Sequence, residues 1–349
     1  MTVTTEVPST LWRDDRTHRR RRATRISLTL TALVLLVAAG SLAIGAYTLP
    51  LPDVITTLAG QGEARDNFIV FGLRLPRLLL GALVGAAFAI SGALFQTLLK
   101  NPLASPDIIG ISGGASAAAA YSILFLGLSG AAVPLAAFLG ALAAATAIYL
   151  LAWRGGVTGY RFVLIGVGVA FMMQAVLGYL ITRGDVRDVQ QALVWMVGGI
   201  GGASWVDIVV LALTLAVLLP AVGLFVPRIR MLQLGDDTAG GLGVRVESTR
   251  LTLLVIAVAL AAVTTAFAGP VAFVAFVSAP IARRLIGTGS LALVPSALVG
   301  ILLVTAADFV AQHLLPGTLQ VPVGIITGVV GAPYLLWLLA TANRRGRGA

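Results

Sequence analysis

The sequence predicts an all-α polytopic membrane protein with about ten transmembrane helices. Three observations carry that expectation: the apolar content, the long stretches free of charge, and the uneven placement of the basic residues. Of 349 residues, 58% are hydrophobic and 11% are charged, with a mean hydropathy of +0.98. A soluble domain carries about 25% charged residues. One core cannot bury this much apolar surface, so much of it must face lipid. Each crossing helix needs roughly 20 apolar residues.

Gaps between charges mark the spans in order. Ile26–Pro52 is the first, too long for the apolar core of a signal peptide and read as a retained helix. Leu78–Leu99 follows, between Arg77 and Lys100. Ile108–Trp153 exceeds one crossing and divides near Gly127–Pro134. Phe162–Arg183 and Ile208–Pro227 come next. Leu251–Ala282 is again too long, and Gly269-Pro270 breaks it into a full and a short piece. A ninth span starts at Leu285, runs to about Ala307 and carries Asp308 at its end; the last is Leu314–Asn343. The domain reading is a basic tail over 1–25, a transmembrane domain over 26–343 and a second basic tail over 344–349. The many glycines, 40 in all, are read as helix-packing positions, because small residues let helices approach closely in lipid.

Orientation follows from charge. With the N-terminus cytoplasmic, nineteen of the 24 lysines and arginines fall on the cytoplasmic side and five outside. That is the asymmetry expected of a membrane protein with an even number of spans and both termini inside. The +10 net charge thus reads as anchoring against membrane lipid and not as nucleic-acid binding, which is expected to be absent.

Composition also narrows the chemistry. There is no cysteine and there are two histidines, His18 and His313, so neither thiol catalysis nor a histidine-rich metal site is expected, and no resident cofactor. Lys100 is the only lysine and follows Leu99. A phosphate-binding P-loop, which needs lysine after glycine, is absent, so energy must come from a partner or from an ion gradient. Asp308 is the main ionisable candidate for an ion-coupled carrier acting alone, against a buried, paired structural acid. Asp107, after Pro106, is read as a helix cap. No acid–base or nucleophile set lies in one membrane layer, so an enzyme is not expected.

Docking for a partner is expected in the loop Arg228–Arg250. There Leu234, Gly235, Asp236 and Asp237 open a short segment with helical character that runs through Ala239 and ends near Gly241 and Gly243. A segment too polar to span and too apolar for a free linker suits a short helix resting on another protein, or else on the membrane surface.

Four stretches resemble one family. They are Arg74-Leu75-Pro76-Arg77 with the following Gly81–Gly92 run and Gln96; Asn101-Pro102 through Asp107-Ile108-Ile109-Gly110-Ile111-Ser112-Gly113; Leu234-Gly235 through Gly241-Leu242-Gly243-Val244; and Ala268-Gly269-Pro270-Val271 with Arg283, Pro322-Val323-Gly324 and Gly331-Ala332-Pro333. Their order and spacing over about Leu33 to Leu339 resemble the FecCD-type permeases of iron-siderophore and vitamin B12 ABC importers, most of all subunits of the ferric enterobactin type.

The resemblance implies a type II importer permease with ten spans. It implies a second permease subunit, here a related but different chain, and an external binding protein. Two cytoplasmic ATP-binding subunits would use ATP and Mg, and a ferric siderophore would be the cargo; cobalamin or haem is the alternative. It assigns Leu234–Val244 to ATPase coupling, Arg74 and Arg77 to docking of the binding protein (or to anchoring a helix end), and Thr158, Gly159 and Tyr160 to the cytoplasmic gate. Departures are Gln312 where the family has a third docking arginine, Gly159 and Tyr160 where small hydroxyl residues occur, a displaced proline at Pro280, and Gln320 in place of a glutamate.

Overall fold

In the computed structural model, residues 9–154, 156, 158–287, 290–314 and 321–345 are described; Gln320 lies outside them. The helices are α1 Ser9–Ala43, α2 Leu51–Leu58, α3 Ala64–Asn67, a π-helical turn Phe68–Arg74, α4 Leu75–Leu98, α5 Ile111–Leu124 and α6 Ala132–Ala152. There follow α7 Gly159–Arg183, α8 Val186–Val197, α9 Trp205–Gln233, α10 Asp236–Gly241, α11 Val246–Ala268, α12 Val274–Ile286, α13 Leu293–His313 and α14 Val323–Arg345. No strand occurs among the described residues.

Among the described residues, seven helical stretches are long and apolar enough to cross a membrane, and two apolar helices, Ile111–Leu124 and Val323–Leu338, are shorter. With α12 as a broken partner of α11, the ten expected spans each find a helix. α1 has 35 residues, about 52 Å at 1.5 Å per residue, against a hydrocarbon layer of about 30 Å. Its basic first half therefore stands clear of the layer as a helical extension of the first span.

Burial separates a hub from a periphery. The stretch Ala64–Leu98 has 72% of its apolar window buried and α11 has 67%, whereas α7 has 17%. Glycine makes the hub possible. An added Cβ at Gly85 would meet the Gly300 backbone, and one at Gly92 would meet the Ala275 carbonyl, so α4 packs backbone to backbone on α13 and α12.

Two boundaries differ from the charge-gap reading, for one reason. Helix Ala64–Leu98 runs through Arg74 and Arg77 instead of starting at Leu78, and α13 runs through Asp308 to His313. Arg77 and Asp308 pair with each other, and Arg74 is taken up by backbone carbonyls, so none of the three ends a helix. The first span closes at Ala43, α9 continues past Pro227 to Gln233, and α14 starts only at Val323. α8, amphipathic and 12 residues long, was not expected.

Candidate translocation and coupling sites

At the end of the bundle opposite the N-terminus, the Arg77 Nε lies 2.9 and 3.0 Å from the two Asp308 carboxylate oxygens, and its terminal nitrogen lies 2.7 Å from Oδ1. Gln312 donates to the remaining side of that carboxylate at 2.5 Å. The pair is mostly buried, 19% and 7% exposed. Arg74, at the end of the π-helical turn, donates to the carbonyls of Leu42 at 2.5 Å, Ala43 at 3.2 Å and Tyr47. These are carbonyls at and just beyond the last turn of α1, where a helix leaves acceptors open; that of Ala43 also accepts the Leu49 amide at 2.8 Å. His313 places its ring nitrogens 2.9 Å from the Phe309 carbonyl and 3.0 Å from that of Ile44. Together these groups line a cavity of about 540 Å³. Arg65, Arg183 and Arg187 stay exposed on the same side.

Next to Arg77, three helix ends meet. Gly269 (φ +67) closes α11, and a Cβ there would overlap the Trp195 carbonyl of α8. Gly198 (φ +78) closes α8, with its virtual Cβ 2.6 Å from the Pro270 oxygen. Gly199 donates to Ala268 at 2.7 Å and Gly324 donates to Gly198 at 3.1 Å. Pro322 precedes α14 in the same junction. Backbone groups freed by the broken helices thus satisfy one another, the condition for irregular backbone at membrane depth. A cavity of about 420 Å³ opens beside this junction, between α8, the end of α11 and the start of α14.

A second break lies in the Asn101–Gly113 stretch. Asn101 turns the chain by accepting from the Leu103 amide at 2.9 Å. Gly110 adopts φ +89, with its virtual Cβ 2.8 Å from the Ala170 nitrogen of α7, and Gly113 packs on Met173. Asp107 does not cap α5 by accepting a backbone amide. It accepts from the Ser112 hydroxyl at 2.5 Å, and Gly110 takes the N-cap position.

On the N-terminal face, Thr158 is the N-cap of α7. Gly159 sits against the Leu99 carbonyl too closely for any side chain, and Tyr160 is 81% exposed. α10 begins after Gly235 (φ +111). Ala239 is fully buried while Leu234 and Leu242 are 65% and 56% exposed, and Asp237 and Gly241 face outward with them. Gly243 (φ +83) turns the chain into α11. Asp236 fixes the segment: Arg250 reaches it at 2.8 Å and Lys100 at 3.2 Å.

Broken helices at one end and a small exposed helix on the N-terminal face thus frame the two candidate sites. The FecCD transport family matches residues 31–341. The chain belongs to that family. Among FecCD-type relatives, the ferric enterobactin transport system permease protein FepG of Escherichia coli is 39% identical over 323 residues, covering 91% of this chain and 98% of its own. The achromobactin permease CbrC of Dickeya dadantii is 41% identical over 336 residues, covering 94% and 95%. A solved metal-chelate type ABC transporter in an inward-facing conformation superimposes with a TM-score of 0.78 at 25% identity, covering 91% of this chain and 99% of that one.

Within this FecCD permease, the residues singled out from the sequence fall into three groups. Arg74, Arg77 and Gln312 meet at one end, with Asp308 as the group that gathers two of them. Gly269, Pro270, Pro322 and Gly324 meet beside them. Thr158, Gly159, Tyr160, Asn101, Pro102 and the α10 segment share the N-terminal face. The sequence reading missed α8, whose Val197-Gly198-Gly199 end closes this junction, and missed Lys100 and Arg250 as the partners of Asp236. It also missed what Pro280 does. Lacking an N–H, Pro280 leaves the Phe276 carbonyl free, and the buried Gln96 side chain donates to it at 2.9 Å.

Proposed function

We propose that this chain is the transmembrane subunit of an ATP-driven importer that moves intact ferric-siderophore complexes into the cell. The observation that carries the reading is near full-length similarity, at 39–41% identity, to permeases whose names specify ferric enterobactin and achromobactin. The chemistry agrees. An iron already wrapped by its chelator needs a large, weakly binding path, and a chain with no cysteine and two histidines offers iron little competition.

In this reading both termini and α10 are cytoplasmic, in line with the basic residues. Two ATP-binding subunits, which use ATP and Mg, grip the exposed Leu234, Asp237 and Leu242 side of α10. A second, related permease subunit covers α7, whose Phe171, Met172 and Tyr179 are 71%, 54% and 61% exposed. Closure of the ATPases moves α10, and Asp236 carries that movement to the end of α4 and the start of α11. Thr158, Gly159 and Tyr160 form the inner gate, tied to the same end of α4 at Leu99. The path between the subunits thus alternates between sides.

The external binding protein would dock at the opposite face. Arg74 and Arg77 already have partners inside the chain, so their part is to hold the mouth in shape beside Gln312. Exposed Arg65, Arg183 and Arg187 supply the attracting charge. Arg187→Glu should slow capture of the binding protein most at low ionic strength; equal association rates for variant and wild type at low salt would remove this role.

The central test uses the chain co-expressed with its ATPases and partner permease in liposomes, offered ferric siderophores and cobalamin. Ferric-chelate uptake should need ATP. Gly235→Val, strained at φ +111, should keep ATP hydrolysis while cutting uptake about tenfold or more, the effect of some 1.4 kcal/mol of misplaced docking. Uphill uptake without any ATPase, or cobalamin as the sole cargo, would overturn the reading.

A further inference from the structure

Beside the start of α10, a cavity of about 720 Å³ opens between the ends of α4, α9 and α12. Among the described residues, three cations line it, Lys100, Arg230 and Arg283, and no carboxylate does. Arg283 is the informative one. It lies part-buried and donates to the Gln96 Oε1 at 3.3 Å, the Ala93 carbonyl at 3.3 Å and the Thr97 hydroxyl at 3.0 Å. All three acceptors are neutral, so its charge has no counter-charge among the described residues. The Gln96 carboxamide is held in register by the carbonyl that Pro280 frees, so this polar end of α12 is built and not incidental. Arg230 is exposed and forms no hydrogen bond or ion pair among the described residues. Lys100 shares Asp236 with Arg250, which leaves the cavity positive overall. A half-buried guanidinium with only neutral partners is costly unless an anion joins it.

We propose that this cavity binds a phosphate group, held by Arg283 and Arg230 with Lys100 at its edge and the Asn101 and Ser290 side chains as neutral donors. Forked guanidinium donors suit a tetrahedral oxyanion. The phosphate comes either from an anionic lipid headgroup or from solution. The level of the site suits a headgroup: on the next residue of α12, Arg284 lies 3.9 Å over the Trp337 ring, an aromatic and cation pairing typical of the membrane interface. Bound there, the phosphate ties α12 to the last turn of α9, one residue pair before Gly235. Its binding stands on these side chains alone; only a consequence for coupling rests on the proposed function.

The experiment uses the full-length chain with its co-purified subunits in nanodiscs, in phosphate-free buffer. In phosphatidylcholine discs, inorganic phosphate is titrated; in separate discs, phosphatidylglycerol replaces part of the phosphatidylcholine. Thermal unfolding is followed, and native mass spectrometry reads retained lipid. Phosphate or phosphatidylglycerol should raise the unfolding midpoint, and a response to one alone identifies the source. Arg230→Gln, on an exposed side chain that leaves folding intact, should weaken half-saturation about tenfold; Arg283→Gln should weaken it further. No shift with either probe, an equal shift with chloride, or an undiminished response in Arg230→Gln would overturn the proposal.

Discussion

Arg77 and Asp308 stand 231 positions apart and hold each other by three short contacts in a mostly buried setting. Removing one partner strands the other's charge, which costs about 3–5 kcal/mol for a buried pair. Asp308→Asn and Arg77→Gln should each lower the thermal stability of the purified chain by that order, and the double variant should lose less than the sum. Additive losses in a double-mutant cycle would show that the two groups do not act together. A carboxylate engaged on both sides by Arg77 and Gln312 is a tie between α4 and α13. A stand-alone proton carrier would need Asp308 free to exchange with water.

At the scale of elements, α10 is six residues long and cannot hold its position by its own hydrogen bonds. Burial of Ala239 and the Asp236 clasp hold it. The hydrogen bond from Arg250, the nearby Lys100 and both positive charges keep the Asp236 carboxyl below the usual carboxylate range, against partial burial that acts the other way. A carboxyl lowered on folding contributes stability that is complete above its unfolded value, about 3.9, and fades as pH falls through the folded value. Amide exchange of residues 236–241, corrected for intrinsic rates, should therefore be flat above about pH 5 and accelerate only below about pH 4. Asp236→Asn should exchange fast at every pH. Acceleration of the wild type between pH 6 and 8 would assign the clasp to another group.

For the whole molecule, orientation is the property most open to direct measurement. The natural chain has no cysteine, so single cysteines report alone. Gln61→Cys and Arg187→Cys should react with an impermeant thiol reagent on intact cells. Arg154→Cys and Gln233→Cys should react only after permeabilisation. Labelling of Gln233→Cys in intact cells would invert the topology and with it the assignment of α10 to ATPase contact.

Apolar content, charge-free gaps and basic asymmetry suffice for an all-helical bundle, Gly269-Pro270 for the break within Leu251–Ala282, and the four motif stretches for the family. Those features are local: a run of apolar residues needs lipid, and Gly-Pro ends a helix, whatever surrounds it. Pairing is not local. The sequence could not show that Arg77 is neutralised by Asp308, which moved two helix boundaries. Nor could it show that Gln96 uses the carbonyl freed by Pro280, or that α8 returns to meet α11 and α14. A charge in a sequence looks like a boundary until the fold supplies its partner, and only close packing through Gly85, Gly92 and Gly300 brings such partners within reach.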